Sequence, residues 1–306
     1  MSRATRVLVT GAAGQVGVDL VDTLLGVTAP GADEHYWADG RRVDPGEFDV
    51  LALTRHDVDF TDEIALASAV ATARADVIVN LAAYTAVDRA ETDAATCYAV
   101  NDAAVGALSR AAADVGSHLI TISTDYVFDG AKGAAYVEDD PTGPLNVYGA
   151  SKLAGEERCS PLDTVVRTSW VMGVRGRNVL RVIARRAQSG DSVRFVDDQM
   201  GTVTVAADLA RALVALVRER PGGTWHVANE GATTWFDVAA FAGRELGRSN
   251  DFVTAISTRD LVPAPAATRP ARADLSTQRF LAAGFRPPPP WRDGLARLLA
   301  ARDASW

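Results

Sequence analysis

Tyr148 and Lys152 stand four residues apart in the run Val147-Tyr148-Gly149-Ala150-Ser151-Lys152. On a helix that spacing places both side chains on one face, one turn from each other. An ammonium beside a phenol favours the phenolate, so the pairing predicts a tyrosine pKa drawn down from about 10. Earlier in the chain, Ser123-Thr124-Asp125-Tyr126 puts a hydroxyl where a strand is expected to end. That hydroxyl could hold a substrate oxygen beside the phenol. The chemistry such a set can do is proton transfer to or from a carbonyl or alcohol oxygen.

A second constellation opens the chain. Thr10-Gly11-Ala12-Ala13-Gly14-Gln15-Val16-Gly17 follows a short β-branched run and precedes a helical one. In that context Gly11 serves a tight turn and Gly14 lets backbone N–H groups approach a pyrophosphate. Gly17 allows close helix–sheet packing, and the helix N-terminus favours negative charge. The expected ligand is a dinucleotide. Where the next strand ends, Leu53-Thr54-Arg55 offers an arginine rather than the acidic residue that takes a ribose 2′-hydroxyl. Arg55 therefore points to NADPH, with NADH as the lesser option. Asp59-Phe60 would flank the adenine, and Leu81-Ala82-Ala83 offers small side chains beside a ribose.

The elements that must position these groups alternate. Strands are expected at Arg6 to Thr10, Val50 to Thr54, Ala75 to Ala82, His118 to Ser123 and Asp163 to Arg167. Helices are expected at Gln15 to Leu25, Asp62 to Arg74, a long Asp93 to Val115, and Val147 to Glu157. The strands are apolar throughout, the mark of a parallel sheet covered on both faces. The fold class is thus α/β, a Rossmann-type doubly wound parallel sheet. Ala29 to Asp49 is polar, rich in Gly and Pro and aperiodic, and reads as an inserted surface loop. Beyond Arg167 the alternation loosens, with helices near Asn178 to Ser189, Ala206 to Arg218 and Trp235 to Leu246, and with Pro-rich breaks at Val262 to Pro270 and Pro287 to Pro290. The expected organisation is a dinucleotide-binding domain over 1–170. A mainly substrate-binding smaller lobe spans 171–306, with some segments returning to the first domain.

Bulk properties narrow the classes. A chain of 306 residues with net charge −8 has no electrostatic footprint for nucleic acid. No stretch has the roughly 18 apolar residues of a membrane span. Cys97 and Cys159 are the only cysteines and form no CxxC pair, which suits a reducing cytoplasm. The N-terminus runs directly into a strand without a leader pattern. His35, His56, His118 and His226 lack ligand spacing, so no metal is expected. Arg175, Arg177 and Arg181 read as a solvated arginine face rather than a diphosphate site.

Together these segments resemble the extended short-chain dehydrogenase/reductase family, and within it the dTDP-4-dehydrorhamnose reductases. The resemblance rests on Thr10 to Gly17, Asn80 to Glu91 (NLAAYTAVDRAE), Ser123 to Phe128 (STDYVF), Pro144 to Gly149 (PLNVYG), Lys152 to Glu156 and Arg167 to Trp170 (RTSW). Asp198-Gln199, Thr233-Thr234-Trp235 and Arg269-Pro270 extend it through the second half. It implies reduction of the 4-keto group of a nucleotide-linked 6-deoxyhexose by NADPH. Residue by residue, it implies Thr124 on the keto oxygen, Tyr148 as proton donor, and Lys152 on the nicotinamide ribose, lowering the tyrosine pKa. Thr85, Val87, Tyr126, Asn146 and Trp170 would meet the sugar or its surroundings, and Arg269 lies in a segment that closes over the nucleotide. The cofactor set becomes Gly11, Gly14, Gln15, Val16, Gly17, Arg55, Asp59, Phe60, Ala82, Ala83, Tyr84, Asn101, Tyr148 and Lys152. The family also allows a homodimer.

Relatives on the same scaffold differ at the site. The 4,6-dehydratases carry an Asp-Glu pair after the threonine, whereas here Asp125 is followed by Tyr126. Epimerases usually show an acidic residue where this chain has Thr54-Arg55. A streptose-type ketosugar is the alternative substrate. A non-catalytic regulatory subunit of methionine adenosyltransferase is the alternative role, against which the intact Thr124, Tyr148 and Lys152 argue.

Overall fold

The computed structural model describes residues 3–303 and Trp306. Six parallel strands form the central sheet in the order Gly223–His226, Thr164–Thr168, His118–Thr124, Val77–Asn80, Thr5–Thr10, Phe48–Leu53. The chain runs outward from Thr5–Thr10 in one direction, then returns to its other side and continues the opposite way. That reversal opens a crevice at the carboxyl ends of the strands, where ligands bind in doubly wound folds.

The strands are apolar on both sides because both sides are covered. Val7, Val9, Val77 and Val79 face the cluster built with the helices Gln15–Leu24 and Ala206–Glu219. Leu8, Ile78 and Leu119 face the opposite cluster, built with Glu63–Ala73 and Ala104–Val115. Successive side chains on a strand point to opposite faces, so a doubly covered strand needs apolar residues at every position.

Two expectations are corrected. The helix expected over Asp93 to Val115 is three segments: Ala94–Tyr98, a π-helical turn Ala99–Ala103, and Ala104–Val115. The reason lies across the interface, where a Cβ on Gly155 would stand 2.1 Å from the Asn101 carbonyl oxygen. The wide turn therefore presses directly on the helix Val147–Glu157. The segment Ala29 to Asp49 is not simply a surface loop. Its end, from Phe48, starts the edge strand. Tyr36 and Ala38 are buried against Ala206–Glu219, Arg211 donates to the Tyr36 carbonyl at 3.1 Å, and Arg218 pairs with Asp39 and Glu47, both at 2.7 Å. Ala206–Glu219 is buried nearly all round, its Asp208 and Arg211 included, and this segment covers a side that the sheet does not.

The remaining elements gather on a second cluster that includes Ile183, Val238, Phe252, Trp291 and Leu298. It is formed by Val179–Ser189, Trp235–Glu245 and Trp291–Ala300. Short strand pairs brace it: Val193–Val196 with Val253–Ile256, and Met200–Thr202 with Ala232–Thr234. Ala206–Glu219 and Gly223–His226 lie with the central sheet. No helix among the described residues is long and apolar enough to cross a membrane.

Candidate active site

A cavity of about 460 Å³ opens at the strand ends, between the glycine loop, the Tyr148 helix and the second cluster. Its near wall is Gly14 to Gly17. Gly11 adopts φ +65°, and a Cβ there would lie 2.6 Å from the Ala82 nitrogen, so turn and close approach both require glycine. A Cβ on Gly17 would sit 2.3 Å from the Gly11 carbonyl oxygen, which seats the helix Gln15–Leu24 on the loop. Gly14 is exposed and has only the Gly11 oxygen near a would-be Cβ, at 3.2 Å. The loop thus offers open backbone to the cavity. Gln15 is held by Asn178, whose amide donates to Oε1 at 2.8 Å.

The far wall carries the reactive groups. Asn146 caps the helix Val147–Glu157 by accepting from the Gly149 N–H at 2.8 Å. A Cβ on Gly149 would meet the Tyr126 carbonyl oxygen at 2.2 Å, so the helix packs hard on the turn Asp125–Val127. That contact brings Tyr148 beside Thr124 on the cavity wall, close enough for the Thr124 hydroxyl to act on the Tyr148 pKa. The Tyr126 ring stands edge-on to Tyr148 at 5.9 Å.

The electrostatics overturn one expectation. The Tyr148 phenol is pushed well above the ordinary tyrosine range, above all by desolvation, with Thr124 opposing and the Asp125 charge adding a lesser push upward. Lys152 does not drive it down, because its Nζ donates to the Ile122 carbonyl at 2.6 Å. Burial lowers the lysine to about 8. Tyr148 is therefore set as an acid that keeps its proton until a stronger base develops beside it.

Other expected residues divide. Ala82, Ala83, Thr85, Val87, Tyr126 and Trp170 join Gly14, Gln15, Val16, Gly17, Thr124, Tyr148 and Lys152 in lining the cavity. Trp170 takes φ +42°, rare for a bulky residue, and stacks on Trp235 at 3.9 Å. Asn101 is buried behind the wall, bonded to both the N–H and the C=O of Tyr84 and to the Ser151 hydroxyl. Tyr84 turns its hydroxyl to Asp93 at 3.1 Å. Both support the wall from outside. Phe60 is a core residue packed with Leu66 and Leu108, and Asp59 closes its own turn by accepting from Thr61. Arg55 is exposed at the end of the second strand.

Arg269 and Asn146 act on a strap. Arg269 clasps both carboxylate oxygens of Asp88, and Asn146 donates to the Thr268 carbonyl at 2.7 Å. The Arg269 pair holds Asp88 down to about 2, so the clasp is charged at any working pH. Sequence reasoning missed Ser123, Asp125, Thr168 and Ser169, which also line the cavity. Their signal was membership of the STDYVF and RTSW segments, beside Thr124 and Trp170. Ser123 Oγ is buried in this wall without a partner among the described residues, so a ligand group can bond there. No acidic, histidine or cysteine cluster suited to a metal occurs among the described residues.

The parallel sheet, the glycine loop and the Tyr148–Lys152 helix meeting at one cleft define an extended short-chain dehydrogenase/reductase scaffold. Residues 5–303 match the family model described as the RmlD substrate binding domain, and the chain belongs to that family. It is 41% identical to a dTDP-4-dehydrorhamnose reductase of Mycobacterium tuberculosis, over 98% of this chain and 94% of that one. It is 36% identical to a dTDP-4-keto-6-deoxy-D-glucose reductase of Streptomyces niveus, over 95% and 96%. The crystal structure of the Bacillus anthracis dTDP-4-dehydrorhamnose reductase in complex with NADP superposes with a TM-score of 0.86, at 31% identity, covering 97% of this chain and 99% of that one. A Thermus thermophilus UDP-glucose 4-epimerase, 21% identical, shares the fold alone, at a TM-score of 0.77 over 97% of this chain and 98% of that one.

Proposed function

We propose that this chain reduces the 4-keto group of dTDP-4-dehydro-L-rhamnose to dTDP-L-rhamnose, using NADPH. The observation that carries the reading is the meeting of Thr124 and Tyr148 hydroxyls in a cleft whose other wall is the glycine loop. The cradle suits a dinucleotide: the glycine loop for the pyrophosphate, Ala82 and Ala83 beside a ribose, and Arg55 for a 2′-phosphate. When bound, the reduced nicotinamide supplies the hydride for the carbonyl carbon. Thr124 holds the keto oxygen, Tyr148 passes its proton to that oxygen as charge develops, and the Lys152 ammonium lies behind. Trp170, propped by Trp235, forms the sugar-side wall, and 171–306 serves mainly as the substrate lobe of the 1–170 cofactor domain, with Ala206–Glu219 and Gly223–His226 returning to that domain. The free cysteines support a cytoplasmic setting.

The test is NADPH consumption with ketosugar generated in place from dTDP-glucose by a dehydratase and an epimerase. Consumption that needs both upstream enzymes supports the reading. Consumption without the epimerase redirects it to a dTDP-4-keto-6-deoxy-D-glucose substrate, and none with either nucleotide removes it. Arg55→Ala is expected to weaken NADPH about tenfold or more while leaving NADH little changed, as loss of a charge-assisted phosphate contact should. Fluorescence titration of both nucleotides checks this, and an unchanged ratio removes Arg55 from the cofactor site.

A further inference from the structure

Asp125 is a carboxyl that the mechanism above leaves unused, and it touches the group that mechanism depends on. It is 2% exposed. Thr124 Oγ1 lies 2.9 Å from its Oδ1, and the Ser169 hydroxyl donates to Oδ2 at 2.8 Å. The titratable groups around it are Tyr126 on its own turn and Tyr148 and Lys152 on the adjacent helix. Arg269 reaches Tyr126 from the strap. The Lys152 ammonium is committed to the Ile122 carbonyl and the Arg269 guanidinium to Asp88, and no cation pairs with Asp125 among the described residues. Burial pushes this carboxyl up to about 7, against the smaller pull of the Ser169 and Thr124 hydrogen bonds.

A hydroxyl has one proton and two acceptor positions, so the Thr124 bonds can be counted in both charge states. The Tyr126 N–H already occupies one acceptor position of Thr124 Oγ1, at 3.2 Å. With Asp125 ionised, the Thr124 proton is spent on Oδ1. Thr124 can then only accept from Tyr148, and both protons turn away from the substrate. With Asp125 neutral, its own O–H fills the second acceptor position. The Thr124 proton must then leave toward the cleft, and Tyr148, unable to donate into Thr124, has its proton free for the same target.

We propose that Asp125 is a positioning residue that works as a neutral acid, donating to Thr124 so that the Thr124 and Tyr148 protons both aim at the substrate oxygen. This rests on the reductase reading, and it deepens that reading by making the charge state of one buried carboxyl decide the donor pattern of the site. Ser169 is part of the device, since its hydroxyl stabilises the ionised form.

Asp125→Asn reproduces the neutral pattern at every pH, its amide donating to Thr124 and its carbonyl accepting from Ser169. The experiment is the pH profile of ketosugar turnover for the wild type, D125N and Ser169→Ala. With Asp125 titrating near 7, the ratio of wild-type to D125N kcat is expected to fall about tenfold from pH 6 to pH 8. In S169A the same limb moves to higher pH. A constant ratio, or a limb that S169A leaves in place, overturns the proposal. An infrared difference between wild type and D125N needs no turnover and separates this inference from the reductase reading. A protonated-carboxyl band present at pH 6 and lost by pH 8 supports the neutral acid. Its absence at pH 6 overturns it.

Discussion

Tyr148→Phe is expected to lower kcat by about two to four orders of magnitude while leaving NADPH affinity within a few-fold of wild type. The substitution removes one hydroxyl and keeps the ring, so the edge-on contact with Tyr126 at 5.9 Å survives. What is lost is the proton donor. Thr124 can still hold the keto oxygen, but the alkoxide formed by hydride transfer must then take its proton from water. The Tyr148 phenol is raised rather than lowered by its surroundings, so the acid form predominates throughout the working range. Activity limited by tyrosine deprotonation is therefore not expected below pH 9. Steady-state turnover, read beside NADPH titration, checks both halves, and near-normal kcat removes Tyr148 from the donor role.

Glu156→Gln is expected to destabilise the protein by about 3–5 kcal/mol. Glu156 and Arg167 form a buried pair, with side chains 8% and 6% exposed and Oε2 to Nη2 at 2.6 Å. The guanidinium makes a second bond to the same carboxylate through Nε at 3.0 Å, donates to the Glu138 carbonyl at 3.2 Å, and lies 5.0 Å over the Phe128 ring. Replacing the carboxylate by an amide leaves that fixed cation with no compensating charge. For 306 residues the unfolding entropy is about 0.6 kcal/mol/K, which converts the loss to roughly 5–8 °C in Tm. Glu156 also raises the Lys152 pKa, so the variant should lose its lysine charge at lower pH than the wild type, which loses it near 8. Differential scanning calorimetry tests the first effect. A Tm unchanged within about 1 °C would show that the pair is offset by its own desolvation.

Much of the scaffold was legible because it depends on local rules. Apolar strands, capped helices and the Gly11 turn each need only neighbours in the chain. The helix boundaries at Val147 and Glu157 came out as expected because Asn146 caps one end and Arg158 begins the turn that leaves the other. The π turn at Ala99–Ala103 was not legible, since its cause is the approach of Gly155 from another helix. Nor was the docking of Tyr36 and Ala38, because an aperiodic polar segment carries no sign of which buried face it will cover.

The sequence by itself determined the apolar strands, the glycine cradle and the pair Tyr148 and Lys152, because each follows from residue type and spacing within one element. Only the tertiary structure decided how those groups are tuned. It turned Lys152 to the Ile122 carbonyl, set Tyr148 beside Thr124 on the cavity wall, and placed Ser169 on Asp125 from a different strand end. It also put Asn101 and Phe60 behind the walls rather than in them. The physical reason is that pKa, proton direction and cavity lining depend on burial and on partners distant in the chain. Spacing within one segment encodes neither.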